Sequence, residues 1–449
     1  MDRRHGVIGV VMGTVVATAG FVVPAAAAPP TASSTQLSHL SHEFSTAAKT
    51  VGANPTAAGR AKAMEKLASA TLFPLATAYG APTEWNAGDT GQGVTVAVLD
   101  SYGDPAIQAV MDNFDAAEGL PPVDVSQLSP AGAVPTCASL QSSDPKSAAD
   151  CGAWAGETDL DVESVHEIAP SAKIIIAATP VDETEGMTGM PEMMTAIDYL
   201  RTKKLASIVS MSFGATENTF PSPASITTLL DPTMKKATAA GMSLVTGSGD
   251  TGPTDFELDG ATYYPFRAIS WPASSPYVTA VGGTVFNTGS AATPATRAQN
   301  PDTLWNDFLP FATNNVTSAG LSQVYKRPTW QNGVKNITGS AMRSMPDITM
   351  YGNDGTSESS PLFAGVLALA VEANGGHNLG NVDSALYKKL GPAGTSAGIV
   401  SLATSNDNLN PAISSVPGFT AGPGFTIAAG WGTVGDVSTF IPALIAAVK

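Results

Sequence analysis

Short runs of β-branched and aliphatic residues recur along this chain, each ending on small or polar residues. The clearest run begins at Val94, behind a pair of glycines, and ends on Asp100. Such a run is typical of a buried parallel strand that delivers a polar side chain to the carboxyl edge of a sheet. Further runs with this pattern lie at 172–178, 208–212, 243–246 and 277–281.

Helical patterns separate several of these runs. Two of them, at about 190–203 and 224–239, each precede a predicted strand. Strands that alternate with helices predict an α/β fold, with a doubly wound, mostly parallel β-sheet flanked by helices. In such folds, ligands bind at the carboxyl ends of the strands.

The N-terminal segment, residues 1–28, has the composition of a secretory signal peptide. Basic residues precede an apolar run from about Gly6 to Val23, and alanines follow. This order predicts export and cleavage; an uncleaved anchor is the alternative. Residues 29–72, rich in Ala, Ser and Thr, are interpreted as a low-complexity linker or short pro-segment, and residues 73–449 as one domain.

The charge balance and the cysteines restrict partners and compartment. The chain has 22 Lys and Arg against 38 Asp and Glu, a formal charge of -16. This excess of acid argues against nucleic acid or a membrane surface as a partner. After export, the cysteines Cys137 and Cys151 would meet an oxidising compartment, so a disulfide is expected. Closing so short a loop would contribute about 3 kcal/mol.

A serine in a glycine-rich turn is the first candidate for chemistry. Gly355, Thr356 and Ser357 lie just before an apolar run of small residues that extends to Val371. If that run is a helix, the Ser357 hydroxyl lies beside its N-terminus, where the helix dipole favours developing negative charge. A nucleophile would suit this position, and so would an ordinary helix cap.

Two acidic residues form the second candidate. Glu157 and Asp161 are four residues apart in a stretch that fits the start of an amphipathic helix, so their carboxyls share one face. Two carboxyls held close together cannot both ionise easily, and one pKa rises. The pair could act as a base under acid conditions, or it could be a solvated acidic face in the first turn of a helix.

The third candidate is Asp250, in the loop from Gly247 to Gly252 that follows a predicted buried strand. An aspartate in such a loop is often an ordinary turn residue. If Asp250 faces Ser357, its protonated side chain could instead donate a hydrogen bond to the oxyanion of a tetrahedral intermediate.

Taken together, these segments resemble the sedolisins, the serine-carboxyl peptidases with a subtilisin-like fold. The resemblance runs from about Phe73 to the C-terminus and makes residues 73–449 a peptidase catalytic domain. Besides the Glu157 and Asp161 pair, its specific matches are 93–105, 210–214, 247–252, 271–284, 343–348 and 355–357.

The resemblance implies a role for each candidate. Ser357 would be the nucleophile, Glu157 its general base, Asp161 the partner that orients Glu157, and Asp250 the oxyanion donor. The substrate cleft would be lined by Ser212, Phe213 and Gly214, whose backbone would pair with an extended peptide.

The subtilisins share this fold and the Gly-Thr-Ser turn, but they need a histidine base. None of the five histidines lies in the sequence context that subtilisins show. His166 follows the acidic pair and is expected to be a surface residue. A carboxylate base is therefore favoured, and Asp100 is interpreted as a strand-end residue rather than a member of a triad.

The chain departs from the sedolisin pattern in two regions. Its segment before Phe73 is much shorter than the usual folded pro-domain. Sedolisins also bind calcium through two aspartates near the C-terminus, and the best matches to those positions are Ala412 and Thr426. Because calcium gains most of its affinity from carboxylate charge, no metal or other cofactor is expected.

The expected protein is a secreted serine-carboxyl peptidase that acts at acid pH on polypeptide substrates. It is expected to be monomeric, with no nucleic-acid partner and no membrane association after signal removal. The alternative is a catalytically inactive, secreted sedolisin-like binding or surface protein.

Overall fold

The computed structural model describes residues 74–141, 145–307 and 315–449. The predicted signal peptide (1–28) and linker (29–72) lie outside the described residues and stay predictions. Every described part of the predicted catalytic domain contributes helices or strands.

The strands alternate with helices along the described chain. The strands are β1 (Thr95–Ser101), β2 (Asp124–Leu128), β3 (Lys173–Thr179), β4 (Ile208–Met211), β5 (Ala215–Thr216), β6 (Ser243–Gly247), β7 (Ser270–Trp271), β8 (Thr279–Val285), β9 (Thr303–Leu304), β10 (Gly320–Lys326), β11 (Met342–Met345), β12 (Ile348–Tyr351), β13 (Ile399–Val400), β14 (Ser405–Asn406), β15 (Thr420–Ala421) and β16 (Thr433–Val434).

The α-helices are α1 (Pro74–Tyr79), α2 (Ala81–Ala87), α3 (Ile107–Glu118), α4 (Cys137–Leu140), α5 (Pro145–Ile168), α6 (Met190–Lys203), α7 (Asp231–Ala239), α8 (Pro294–Gln299), α9 (Lys335–Thr338), α10 (Thr356–Ala373), α11 (Asp383–Ala385), α12 (Gly391–Ala393) and α13 (Val437–Val448). Short 3₁₀ or π-helical turns lie at Glu217–Thr219, Ser225–Leu230, Gly289–Ala291, Thr329–Val334, Leu386–Leu390 and Gly394–Ala397.

The central sheet has the strand order β13-β16-β12-β8-β6-β4-β1-β3-β2, with β9 paired to β8. All neighbours along this order are parallel except β13 with β16, and β9 is antiparallel to β8. The mostly parallel, helix-flanked sheet confirms the fold class predicted from the sequence.

Side chains alternate between the two faces of the sheet, and each face has its own core. In β1, Val96 and Val98 join a buried cluster that includes residues of α5, α10 and α13. Ala97 and Leu99 join the cluster on the other face, with residues of α6 and α7. Because both faces are covered, a central strand must be apolar at nearly every position, as the sequence of β1 is.

A close contact between α5 and α10 fixes the position of the candidate site. Gly365 of α10 lies against α5: a Cβ atom at Gly365 would lie 2.7 Å from the Cβ of Ile168 and 3.2 Å from the carbonyl oxygen of Val165. Only glycine allows this approach. The contact holds the middle of α10 against the last turn of α5, and so fixes how the two helices cross.

The sequence interpretation of α5 needs one correction. Glu157 and Asp161 were expected near the start of a helix, but α5 begins at Pro145, so both lie in its second half. The residues between Pro145 and Glu157 are mostly small or helix-favouring, and they continue the helix without a break. The two carboxylates therefore do not serve as dipole-favouring residues of a first turn.

Candidate active site

Ser357 lies at the N-terminus of α10, as the sequence predicts. The turn before it contains Gly355 with a φ of 105°, in the region that favours glycine. A Cβ atom at Gly355 would lie 3.0 Å from Oδ2 of Asp250. The turn is thus built so that the serine and the aspartate can approach each other, and Ser357 is 6% exposed at the edge of a cleft.

Asp250 follows the carboxyl end of β6 and holds the turn in place. Its Oδ1 accepts hydrogen bonds from the Thr356 amide (2.9 Å) and the Thr356 hydroxyl (2.8 Å). The same hydroxyl accepts from the amide of Gly249 at 3.0 Å. Burial raises the pKa of Asp250, the two Thr356 hydrogen bonds lower it, and the Asp255 carboxylate raises it. With Oδ1 engaged by Thr356, Oδ2 is the oxygen that would carry the proton.

Glu157 is 2% exposed and lies close enough to Ser357 for the serine hydroxyl to affect its pKa. Burial holds its pKa well above the usual range, the Ser357 hydroxyl lowers it as a hydrogen-bond donor, and the Asp100 and Asp250 carboxylates raise it further. Neither Glu157 oxygen has a partner at ordinary hydrogen-bond geometry within the described residues. In enzymes, the contact between a serine and the carboxyl that takes its proton is often long and tightens only when substrate binds.

Asp161 lies one turn further along α5 and is fully buried. The Ser212 hydroxyl, just after β4, donates to both of its oxygens, at 2.8 and 2.9 Å. Burial holds the pKa of Asp161 well above its usual range, and the Asp100 and Glu157 carboxylates add to the rise. Ser212 therefore links the predicted cleft segment directly to the predicted carboxylate pair.

Asp100 is a site residue that the sequence analysis set aside. It lies at the carboxyl end of β1, fully buried, and its carboxylate raises the pKa of both Asp161 and Glu157. Burial raises the pKa of Asp100 to about 7, although the Thr158 hydroxyl, which donates to its Oδ2 at 3.0 Å, lowers it. The position of Asp100 could have revealed its place in the site. It ends β1, and β1 ends at the same edge of the sheet as β4 and β6.

The residues predicted to bind substrate lie around one cleft. Ser212, Phe213 and Gly214 line it together with Asp250 and Ser357. The cavity volume is about 90 Å³. The cleft lies at the carboxyl ends of β4 and β6, where a doubly wound sheet is expected to bind its ligand.

His166 is not a surface residue, contrary to the expectation from the sequence. It is fully buried, with Nε2 2.9 Å from the Pro121 carbonyl oxygen and 3.1 Å from a carboxylate oxygen of Asp115. These partners come from α3 and the segment after it, so the pattern of α5 alone did not reveal them. The pair is one element of the packing of α3 against α5 and lies outside the cleft.

The C-terminal positions compared with the sedolisin calcium site carry few ligands for a cation. Thr426 accepts a hydrogen bond from the Ala429 amide through its hydroxyl, at 3.2 Å, and Ala412 has no side-chain oxygen. Nearby, one carboxylate oxygen of the buried Asp407 accepts from the Phe419 amide. Within the described ranges, no group of three or more His, Cys, Asp or Glu side chains is arranged to hold a metal ion. The absence of a calcium site stays a prediction.

Cys137 and Cys151 form a disulfide with an S–S distance of 1.94 Å. It joins the short helix α4 to the first half of α5. The bond therefore ties the segment before α5 to the helix that carries Glu157 and Asp161.

The chain is similar to known proteins of one family. The model of the subtilase family matches residues 91–408, and the chain belongs to that family. Kumamolisin of Bacillus sp. (strain MN-32) is 31% identical over 257 residues, which cover 52% of this chain and 42% of kumamolisin. Sedolisin of Pseudomonas sp. (strain 101) is 29% identical over 301 residues, which cover 62% of this chain and 47% of sedolisin.

A solved structure shows the same fold. Pseudomonas sedolisin, described as a serine-carboxyl proteinase complexed with two molecules of pseudo-iodotyrostatin, aligns with a TM-score of 0.64. The alignment covers 82% of this chain and 96% of that one, at 23% identity. The resemblance to the sedolisins drawn from the sequence is confirmed. The chain spans less than half the length of the two curated relatives.

Proposed function

We propose that this protein is a secreted, acid-acting serine-carboxyl peptidase that hydrolyses peptide bonds through an acyl-enzyme on Ser357. The observation that carries the proposal is the convergence of a serine at a helix N-terminus, a buried carboxyl pair and a second buried acid around one cleft. Similarity to kumamolisin and sedolisin supports the same class of reaction.

In the proposed reaction, Ser357 Oγ attacks the carbonyl carbon of the scissile peptide bond, and the hydroxyl proton passes to Glu157. The carbonyl oxygen becomes an oxyanion, which the protonated Asp250 stabilises by donating a hydrogen bond. Collapse of the intermediate breaks the C–N bond, and Glu157 returns the proton to the leaving amine. Water then hydrolyses the ester on Ser357 by the same proton transfers.

Asp161 and Asp100 act on this chemistry through Glu157. The three carboxyls are buried; Asp100 raises the pKa of Glu157 and of Asp161, and Glu157 raises that of Asp161, so they share protons as a group rather than ionising independently. The Ser212 hydroxyl holds Asp161 in a fixed orientation. Loss of one proton from this group is enough to leave a carboxylate that can accept the Ser357 proton.

The proposal includes an acidic optimum. Asp250 can donate only while it is neutral, and its raised pKa keeps the neutral form populated to a higher pH than in an exposed aspartate. Raising the pH above that pKa replaces a donor with a charge that repels the oxyanion. Activity is therefore expected to peak in the range of roughly pH 3 to 5.5.

The proposed substrates are polypeptides, because the cleft lies along strand-end segments whose backbone can pair with an extended chain. Export by an N-terminal signal and a monomeric state are parts of the same proposal. Within the part of the chain that the structure describes, no helix has the length and apolar character needed to cross a membrane.

A protein zymogram at about pH 3 to 6 tests the proposal. The parent protein is compared with Ser357→Ala and with Ser359→Ala. The second variant removes a hydroxyl from the same helix, where it donates to the Tyr351 carbonyl at 2.9 Å. Clearing by the parent and by Ser359→Ala, with none by Ser357→Ala, is the expected result. Equal clearing by Ser357→Ala would refute the proposed nucleophile.

A further inference from the structure

Two carboxyls line the cleft but take no part in the proposed proton transfers. Glu185 and Asp255 face the same cavity as Ser357, together with Phe256 and Ser270. They come from the loop after β3 and the loop after β6. A substrate side chain next to the scissile bond would therefore meet two acids in this part of the cleft.

Glu185 is held rigidly at the wall of the cavity. Its Oε2 accepts from the Thr216 amide at 2.9 Å and the Thr219 hydroxyl at 3.0 Å, and its Oε1 accepts from the Thr216 hydroxyl at 3.3 Å. Each donor is neutral. Burial, with a contribution from the Asp255 carboxylate, raises the pKa of Glu185 to about 8.

Asp255 is equally fixed and almost fully buried. Its Oδ1 accepts from the Thr251 hydroxyl at 3.0 Å and the Phe256 amide at 2.9 Å, and the Ser270 hydroxyl donates to Oδ2. Burial raises its pKa, and these hydrogen bonds lower it. Both carboxyls are thus positioned by neutral donors, none of which brings a positive charge to the cavity.

A third acid interacts with both of these carboxyls. Glu183 is fully buried, neither of its oxygens has a partner within the described residues, and Glu185, Asp182 and Asp255 all raise its pKa. Burial of a carboxyl without a donor or a cation is costly. The raised pKa favours the protonated, neutral form of Glu183, which fits a position that no described cation reaches.

Within the part of the chain that the structure describes, the titratable groups that interact with these carboxyls include no lysine, arginine or histidine. The other titratable side chains that interact with Glu183, Glu185 or Asp255 are Asp182, Asp250, Tyr263 and Tyr264. All of them are neutral or negative. Any cation that contacts these carboxyls therefore comes from outside the described residues.

We propose that this part of the cleft binds the cationic side chain of a substrate lysine or arginine, with Glu185 and Asp255 as its carboxylate partners. The inference rests on the proposed peptidase function and extends it to the class of peptide preferred. Guanidinium and ammonium groups provide several donors for carboxylate oxygens and form their strongest contacts where water is excluded.

Binding of a cation would also change the protonation of the cavity. A positive charge lowers the pKa of Glu185 and Asp255, so the cation must displace protons from the empty cavity at acid pH. Its advantage over an uncharged side chain is therefore expected to grow as the pH rises, because fewer protons have to be displaced. If Glu185 and Asp255 stay neutral, they could instead donate hydrogen bonds to the side-chain amide of a substrate glutamine. A peptide that carries glutamine at the varied position distinguishes this outcome from binding of a cation.

Binding to the Ser357→Ala variant tests the inference without any turnover. Three fluorescent peptides differ at one position only, which holds arginine, norleucine or glutamine, and polarisation gives each dissociation constant at about pH 4 and about pH 6. At the higher pH, the arginine peptide is expected to bind about tenfold more tightly than the norleucine peptide. At the lower pH, the difference between the two dissociation constants should be smaller. Equal binding of all three, or a preference for glutamine, would overturn the inference.

Isosteric variants assign the effect to particular carboxyls. In the Ser357→Ala background, Glu185→Gln and Asp255→Asn should each reduce the ratio of arginine to norleucine affinity severalfold. Glu257→Gln is the matched control, because Glu257 is an acid of the same loop as Asp255 but does not line the cavity. Its ratio of arginine to norleucine affinity should equal that of Ser357→Ala alone. An unchanged ratio in both cavity variants would also overturn the inference.

The outcomes separate this inference from the proposed function. Selective binding of the arginine peptide by a protein whose parent cleaves nothing would refute the peptidase proposal alone. Cleavage by the parent without any preference for arginine or lysine would refute the cation site alone. A lysine peptide, added as a fourth probe, tells guanidinium from ammonium recognition.

Discussion

Replacing Asp250 by asparagine exchanges one carboxyl oxygen for an amide nitrogen and leaves the rest of the turn intact. The amide oxygen can still accept from the Thr356 amide and hydroxyl, which now bond Oδ1 at 2.9 and 2.8 Å. The NH₂ group then occupies the position of Oδ2 and donates at every pH. Asp250→Asn should therefore keep an oxyanion donor that no longer depends on protonation.

The size of the effect follows from what each substitution removes. Asp250→Ala loses the oxyanion donor and both acceptor contacts to Thr356, and loss of one such donor lowers kcat by about 100- to 1,000-fold. Asp250→Asn keeps all three interactions, so its kcat near the acid optimum should stay within about tenfold of the parent.

The pH profile gives the sharper comparison. In the parent, activity supported by Asp250 is present below its raised pKa and is lost as the pH rises through that value. Asparagine has no such titration, so the alkaline limb of kcat should move to higher pH, while the acid limb, which is set by deprotonation of the Glu157 group, should stay in place. Melting curves of both variants check that the fold is retained. A fully active Asp250→Ala, or an Asp250→Asn profile with the parent's alkaline limb, would refute the assignment.

Three further predictions concern the scaffold. Gly365→Ala puts a Cβ where Ile168 leaves no room and forces α5 and α10 apart. Urea denaturation should therefore show a free energy of unfolding lower by about 1–3 kcal/mol, and activity should fall. An unchanged free energy of unfolding would contradict the close contact. The double variant Cys137→Ser and Cys151→Ser removes a disulfide between positions 14 residues apart, so its free energy of unfolding should be lower by about 3 kcal/mol. An unchanged free energy of unfolding would contradict the loop-closure argument. Melting temperatures in EDTA and in millimolar calcium should be equal, and a rise of several degrees with calcium would show that a calcium site exists after all.

Local patterns were enough to predict the sheet and the position of Ser357 at the start of a helix. The apolar run of β1 and the glycine-rich turn before Ser357 each determine their own structure, because burial on both faces and a positive φ demand particular residue types. The parallel order of the strands then explains why Asp250 and Ser212 lie near each other, since parallel strands end at one edge of the sheet.

Contacts between distant segments were harder to predict. His166 was expected at the surface because nothing near it in sequence shows that Asp115 and the Pro121 carbonyl would surround it. Asp100 was set aside once a histidine base was rejected, although its burial beside Asp161 depends only on where β1 ends. Glu185 and Asp255 carry no local pattern, because two separate loops bring them to one cavity.

Trapping the covalent intermediate is the most direct test of the account. The parent protein and Ser357→Ala are mixed with a peptide p-nitrophenyl ester at about pH 4, quenched in strong acid after a short interval, and mapped by mass spectrometry of their proteolytic fragments. The account predicts that the fragment containing Ser357 gains the mass of the peptidyl acyl group in the parent and that the corresponding fragment of the variant does not. Ester hydrolysis by the parent with the acyl group on another residue, or with equal labelling of Ser357→Ala, would contradict it.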